Sequence, residues 1–201
     1  MRTDPFRRGI LTAAVSGLAL AAIPFRASAL DLATARALID QLVAEVNRII
    51  NSGETETQMF ADFEKVFAKY ADVPIIARSA LGVAARQASP QQMTAFTKAF
   101  QGYLSRKYGR RFREFIGGKI EVTDARPLND NYEVISTATL RGQAPFDLRW
   151  WVSSKSGRDL FYNIVIEGVN MLATERTEIG AMLDQNNGNL DALIKQLQTS
   201  G

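Results

Sequence analysis

The spacing of apolar residues along this chain changes twice, and those two changes divide it into three regions. From Leu32 to about Ile116 apolar side chains recur every three or four residues, the period of one helical face. From Lys119 to Asn170 they alternate, the period of a half-buried strand, and from Met171 onward the helical period returns. In the first region Leu38, Leu42, Val46 and Ile49 share a face of a helix predicted over Leu32 to Ile50, which Asn51-Ser52-Gly53 ends. A second helix is predicted from about Glu54 to Tyr70, with Phe60, Phe63, Val66, Phe67 and Tyr70 aligned. Asp72-Val73-Pro74 is predicted to break it, because proline disfavours helical geometry in the residue before it. A third, alanine-rich helix is predicted over Ile75 to Gln87.

The most distinctive stretch follows, from Ser89 to Ile116. Ser89 and Gln92 form a Ser-x-x-Gln capping box, and Pro90 suits the first helical position. Phe96, Phe100, Tyr103, Leu104, Tyr108, Phe112 and Phe115 then recur on one face, with a kink or break predicted at Gly109 and an end at Gly117-Gly118. Six of those seven side chains are aromatic, where Leu, Ile and Val are more usual in a core helix. Two readings follow. The stripe is either packed core or one wall of a cavity for an apolar ligand.

Past the glycine pair, Ile120 and Val122 point inward from a strand over Lys119 to Thr123, and the segment Pro127 to Asn131 is predicted to be a turn. Tyr132 to Leu140 forms the next strand, with Tyr132, Val134, Ala138 and Leu140 on its inward face. Phe146, Leu148, Trp150 and Val152 share one face of a third strand, and Ser153 to Asp159 is a polar turn. Leu160 to Asn170 is predicted as a single last strand. Gly168 inside it marks a bulge or the close approach of backbone or ligand. Helix resumes at Met171 and includes Leu190 to Leu197. Helices, then sequential strands, then helix predict an α+β fold. It is one domain, a twisted antiparallel sheet of about four strands against several helices, with an apolar cavity between them.

Residues 1–29 read as a cleaved export signal, leaving a domain over 30–201. Arg2, Arg7 and Arg8 precede an uncharged run from Gly9 to Ile23, and Ala27-Ser28-Ala29 is a small-x-small cleavage site. That run is shorter than the ~20 residues of a membrane-spanning helix. Arg7-Arg8 admits the twin-arginine route beside the Sec route. Removing the signal also removes Arg2, Arg7, Arg8, Arg26 and Asp4 from a chain of 24 basic and 21 acidic side chains, which leaves 20 of each. The pI of about 9.3 therefore belongs largely to the signal and gives no argument for nucleic acid as a partner. With no cysteine anywhere, the domain is held by packing alone.

The chemistry available is narrow. No histidine and no cysteine means no Ser-His-Asp or Cys-His nucleophile, none of the common zinc ligand sets and no near-neutral proton shuttle. No phosphate-binding glycine loop occurs. The carboxylate pairs Glu175/Glu178 and Asp62/Glu64 read as solvated helical faces, and Glu167 is a lone acid with no nucleophile nearby in the sequence. An enzyme is not expected, nor a cofactor. The basic run from Arg106 to Arg113 lies opposite the aromatic stripe. It is either an ordinary solvated face or one that meets lipid headgroups or an acidic partner, with Arg113 or Arg86 near a phosphate.

Several segments in fixed order then resemble the MlaC (toluene-tolerance) family of periplasmic phospholipid-binding proteins. They are Asp72-Val73 with Ile76-Ala77, Leu81-Gly82 with Arg86, Ala88-Ser89-Pro90-Gln91-Gln92, and the Phe96, Phe100, Leu104, Tyr108 spacing. The run Tyr162-Asn163-Ile164-Val165-Ile166-Glu167-Gly168-Val169-Asn170, Arg176, and Asn189 to Leu197 complete the set. Asn163 stands where Asp is usual, Asn170 where Ser is usual, and Asp159 where Trp is common. The resemblance implies a periplasmic lipid carrier that holds phospholipid acyl chains between sheet and helices. Its implied partners are an outer-membrane lipoprotein–porin complex and the substrate-collecting subunit of an inner-membrane ABC transporter. The side chains expected to line the lipid are Leu81, Phe96, Phe100, Tyr103, Tyr108, Phe112, Val134, Ala138, Trp150, Ile164, Ile166 and Gly168.

Three other readings compete: a carrier of a hopanoid or isoprenoid-type lipid, a structural periplasmic adaptor whose stripe is only core, and an enzyme of the nuclear-transport-factor-like fold, which the missing histidine disfavours. The exported protein is expected to be a monomer beginning at Leu30, since no cysteine offers an anchor and no heptad pattern offers self-association. Amino-terminal sequencing of periplasmic material and light scattering at micromolar concentration check both halves. A start far from Leu30, or a stable dimer, contradicts them.

Overall fold

A computed structural model describes residues 30–109 and 114–201. In chain order it contains α1 (Leu32–Ile50), α2 (Glu56–Tyr70), α3 (Val73–Leu81), a 3-10 turn (Gly82–Arg86) and α4 (Pro90–Gly109). There follow β1 (Lys119–Leu128), β2 (Asn131–Thr139), β3 (Phe146–Ser153), β4 (Leu160–Ile166), β5 (Val169–Asn170), α5 (Met171–Gln185) and α6 (Leu190–Thr199). The strands form one antiparallel sheet in the order β1-β2-β3-β4-β5. The predicted α+β class holds, with five strands rather than four.

The differences in element boundaries have local causes. α2 starts two residues later than its apolar pattern suggests, because Thr55 caps it through the Gln58 amide at 3.4 Å. α2 ends at Tyr70, just before Asp72-Val73-Pro74 as predicted, but α3 opens at Val73 rather than Ile75: Asp72 caps the helix through the Ile75 amide, and a proline in the first turn forfeits no helical hydrogen bond. The same helix stops at Leu81, and the rest of the predicted third helix is the 3-10 turn. β1 continues past a bulge between Val122 and Asp124 as far as Leu128. Pro127 is tolerated there because β1 is an edge strand, and the turn shrinks to Asn129-Asp130.

The last predicted strand is two strands. Glu167 and Gly168 both have positive φ, 50° and 83°, and fold β4 back against β5 in a tight hairpin. Gly168 is thus a turn glycine, exposed, and an added Cβ would meet no atom within 4 Å. Its expected place inside a strand is corrected, and with it the ground for expecting backbone or ligand close by. Glu167, exposed in the same turn, is not a buried base.

One face of the sheet is apolar. Cross-strand register puts Val134, Trp150 and Ile164 in one row, Ser136, Leu148 and Ile166 in the next, and Ala138 beside Phe146. α1 lies over β1, β2 and β3 on this face, α3 and α5 reach β4, and α4 packs among α2, α3 and α6. Buried residues from all these elements form one continuous core. The one buried polar group in the row, Ser136, accepts from the Trp150 indole at 3.1 Å.

The edge at β1 is closed by α1 itself. The Asn47 side chain donates to the Ile120 carbonyl at 2.7 Å and accepts from the Ile120 amide at 2.9 Å, as a neighbouring strand would. Arg36 and Asn51 donate to the Val122 and Gly118 carbonyls. At the far side the amide of Asp72 donates to the Phe161 carbonyl at 2.8 Å, beside the short β5. Replacing Asn47 by Ala leaves both Ile120 groups without their partner and is expected to cost about 1–3 kcal/mol, read as a lower urea midpoint. A midpoint unchanged from wild type would show that the edge is closed without Asn47.

Candidate functional site

The capping box forms as the sequence predicts: the Ser89 amide donates to Gln92 and the Gln92 amide to the Ser89 hydroxyl, each at 3.1 Å. α4 ends at Gly109 among the described residues, and Phe112, with Arg110, Arg111 and Arg113, lies outside them. Phe96 and Phe100 stack at 5.6 Å and are 0% exposed, and Tyr103 continues the stack at 6.3 Å. Val134 and Ala138 on the sheet are also 0% exposed. These four side chains are closed to solvent, as tightly packed core positions are.

The other candidates separate into two groups. Leu81, Tyr103 and Trp150 are buried; Trp150 meets Phe161 edge-on at 5.3 Å. Ile164 and Ile166 are half-buried, with Phe146 and Tyr132, so the inner sheet face is sealed at its centre and partly open toward β4. The structure brings Val134, Ala138, Trp150, Ile164 and Ile166 onto one face. It places the α4 rings in the same core, but against helices rather than flat on the sheet.

Two cavities open beside this core. One, of about 340 Å³, lies among the α2–α3 junction (Ala71 to Pro74), Thr97 and Gln101 of α4, and Ser156, Arg158 and Leu160 at the β3–β4 turn. The other, of about 310 Å³, lies between α3, the 3-10 turn and α5 and is basic. Among the described residues, no candidate lining residue borders either of these two.

The structure corrects the reading of Glu175 and Glu178 as a solvated pair. Glu175 is 3% exposed and accepts from Lys107 at 2.7 Å and from the Tyr108 hydroxyl; Glu178 accepts from the Tyr103 hydroxyl at 2.5 Å and from Lys107. The same network corrects part of the basic face. Lys107 turns inward, and Arg106 donates to the Leu197 and Ser200 carbonyls, capping the C-terminal end of α6. Asp62, by contrast, stays on the surface with Lys65 and Gln58. The sequence held the signal: Tyr103, Lys107 and Tyr108 face one way on α4, and Glu175 and Glu178 are one turn apart on α5.

The network sets its own titration. Burial pushes the Tyr103 hydroxyl up to about 12, and its bond to Glu178 acts in the same direction. Burial raises Tyr108 too, followed by its bond to Glu175. For Lys107 burial favours the neutral amine, but the hydrogen bonds to Glu175 and Glu178 outweigh it and raise the pKa. For Glu178 burial pushes the carboxyl up, but the bonds from Lys107 and Tyr103 prevail and lower it. Asn163 and Asn170 complete the anchoring of α5: Asn163 donates to Asn170 at 3.0 Å and accepts the Leu172 amide, while Asn170 accepts the Ala173 amide. The two asparagines are therefore a matched amide pair at a helix cap.

Stability should respond to pH accordingly. Glu178, depressed from 4.5, adds stability that is present above pH 4.5 and lost as pH falls through its lower folded value. Tyr103, raised from 10.0 to about 12, adds stability that is present below pH 10 and lost as pH rises toward 12; Lys107 acts in the same direction. Lys107→Met strands Glu175 in the core and should cost about 3–5 kcal/mol, and adding Glu175→Gln should recover most of it. Denaturant melts of both variants across pH check the pair. A double mutant no more stable than Lys107→Met would show that the ion pair is not what holds α4 to α5.

The comparisons agree with this architecture. The solved structure of a phospholipid-binding protein from Ralstonia solanacearum, in complex with a phospholipid, is similar to 81% of this chain and 94% of its own, with a TM-score of 0.70 and 20% identity. At that identity the likeness establishes the fold. The family described as MlaC protein matches residues 40–199, from α1 to the last turn of α6. The chain belongs to the MlaC family.

Proposed function

We propose that this protein is a periplasmic carrier that binds phospholipid by its acyl chains and moves it between membranes. It would receive or deliver lipid at an outer-membrane lipoprotein–porin complex and at an inner-membrane ABC transporter. The observation that carries the reading is family membership over 40–199, joined to a fold shared with a protein solved around a phospholipid. Among the described residues no helix is long and apolar enough to cross a membrane.

The chains would lie on the inner face of the sheet, along Trp150, Ile164 and Ile166 toward Val134 and Ala138, with the α4 rings and Leu81 as the opposite wall. Each methylene removed from water contributes ~0.8 kcal/mol, so two exposed acyl chains would cost on the order of 20 kcal/mol. Two chains exceed the volume of either cavity beside the core, about 310 and 340 Å³. On this reading loading parts the helices from the sheet, beginning where Ile164, Ile166 and Phe146 are already half-buried.

Protein purified from a periplasm should carry phospholipid, seen by native mass spectrometry and by phosphorus quantitation, and should pass a fluorescent phospholipid between vesicle populations. Ile164→Asp places a charge on the half-buried part of the face and should lower bound phospholipid and transfer at least fivefold. A wild-type protein that holds no lipid, or an Ile164→Asp variant that folds normally and keeps its full lipid content, would refute this reading. A bound hopanoid or isoprenoid in place of phospholipid would preserve the carrier and change its cargo.

A further inference from the structure

The basic cavity is separate from the apolar core and is chemically unlike it. Arg78 of α3, Arg86 of the 3-10 turn and Arg176 of α5 converge on a cleft of about 310 Å³ that Ser79, Gly82 and Val83 also line. Among the described residues, none of the three guanidinium groups makes an ion pair or a hydrogen bond. Some other arginines are engaged, Arg36 by Asp40, Arg106 by the end of α6 and Arg126 by Glu133, and the three here are distinguished by sharing one cleft. Three like charges brought together from three elements repel one another, and a bridging anion relieves that repulsion.

The cleft is built for such an anion. Gly82 has φ 64°, a conformation that disfavours a side chain, and a Cβ there would lie 3.3 Å from the Arg176 Nε. Glycine thus lets the Arg176 guanidinium pack close against the 3-10 turn, in the cleft that Arg78 and Arg86 also line. Guanidinium forks match the paired oxygens of a phosphate. Val83 stands at the rim and is 64% exposed, an apolar tip among cations. That combination suits the interface of an anionic membrane, where an aliphatic side chain enters the headgroup layer and arginines engage phosphates. A soluble phosphate has no use for the valine. Residues 30–201 carry 20 basic and 20 acidic side chains, so overall charge supplies no such attraction and the local cluster must.

We propose that this cleft is a membrane-docking site in which Arg78, Arg86 and Arg176 bind the phosphate of a glycerophospholipid headgroup at an anionic membrane surface, with Val83 inserted beside it. The site goes beyond the acyl-chain reading and does not rest on it.

Vesicle flotation with the full chain tests it. The protein should bind vesicles containing phosphatidylglycerol in preference to pure phosphatidylcholine, more weakly as salt rises. Arg78→Ala, Arg86→Ala and Arg176→Ala should each weaken that binding about fivefold. Val83→Asp should weaken it as well, and Lys155→Ala, an exposed charge elsewhere, should not. Circular dichroism confirms that the variants fold, and phosphorus quantitation reads their bound lipid. Absence of vesicle binding by the wild type, or an equal loss with Lys155→Ala, overturns the proposal. Saturable binding of inorganic phosphate without vesicle binding would make the ligand a free phosphate and overturn it too. Arginine variants that lose bound phospholipid together with docking would assign the site to the carried lipid's own headgroup, against the proposal. A wild type that holds no phospholipid yet docks through the three arginines would sustain the docking site and refute the carrier reading alone.

Discussion

A sheet that buries one face depends on its register, because a slip of one residue would turn Val134, Ser136 and Ala138 out to solvent and Glu133, Ile135 and Thr137 into the core. The chain fixes register at several points. Asn129 takes a positive φ in the two-residue turn that pairs Leu128 with Asn131, and Glu167-Gly168 does the same between β4 and β5. The bulges at Val122/Asp124 and around Tyr162 each admit one extra residue at a defined place. Asn47 then pins β1 to α1 by occupying both groups of a single residue, Ile120. With no disulfide to fall back on, these hydrogen-bonded anchors decide which side chains face the helices, and the core assembles on the face they present.

α4 is fixed in a different way. Its N-terminus is closed by the Ser89–Gln92 box, and Gln92 also reaches Asp191 of α6 at 3.2 Å. Its C-terminal half is held by Arg106 on the end of α6 and by Lys107 between two carboxylates of α5. The polar anchors leave the rings of Phe96 and Phe100 to be positioned by packing alone. The helix therefore combines an apolar face that obeys only volume and contact with a polar end that obeys geometry and charge.

That division explains what could be read from the sequence. Periodicity located the helical regions of the described residues and the inward residues of β2 and β3, because burial of one face imposes a period wherever it occurs. It misplaced boundaries at Pro74, Pro127 and Gly168, where the deciding factor was not period but which backbone groups a helix start, an edge strand or a tight turn leaves free. The aromatic stripe showed that a site was worth seeking on α4, yet whether its rings border space or protein is a matter of three-dimensional volume. The Lys107 network was visible only as charges on two distant helices. Its components lie 68 and 71 residues apart, and no local pattern signals that two such helices meet.

The fully buried rings bear directly on how a carrier of this kind can work. On the proposed reading, Phe96 and Phe100 exchange contacts with each other and with their neighbours for contacts with methylene groups. Dispersion and hydrophobic burial are conserved in kind through that exchange, since an acyl chain is as apolar as the side chains it displaces. The net cost of opening is then set by what cannot be exchanged: hydrogen bonds such as Asn47 to Ile120 and the Lys107 pairs, which a lipid chain cannot replace. Those bonds lie on β1 and at the α4–α5 contact, and none involves Ile164 or Ile166. A core assembled this way can yield along the apolar seam while its register and its helix contacts hold.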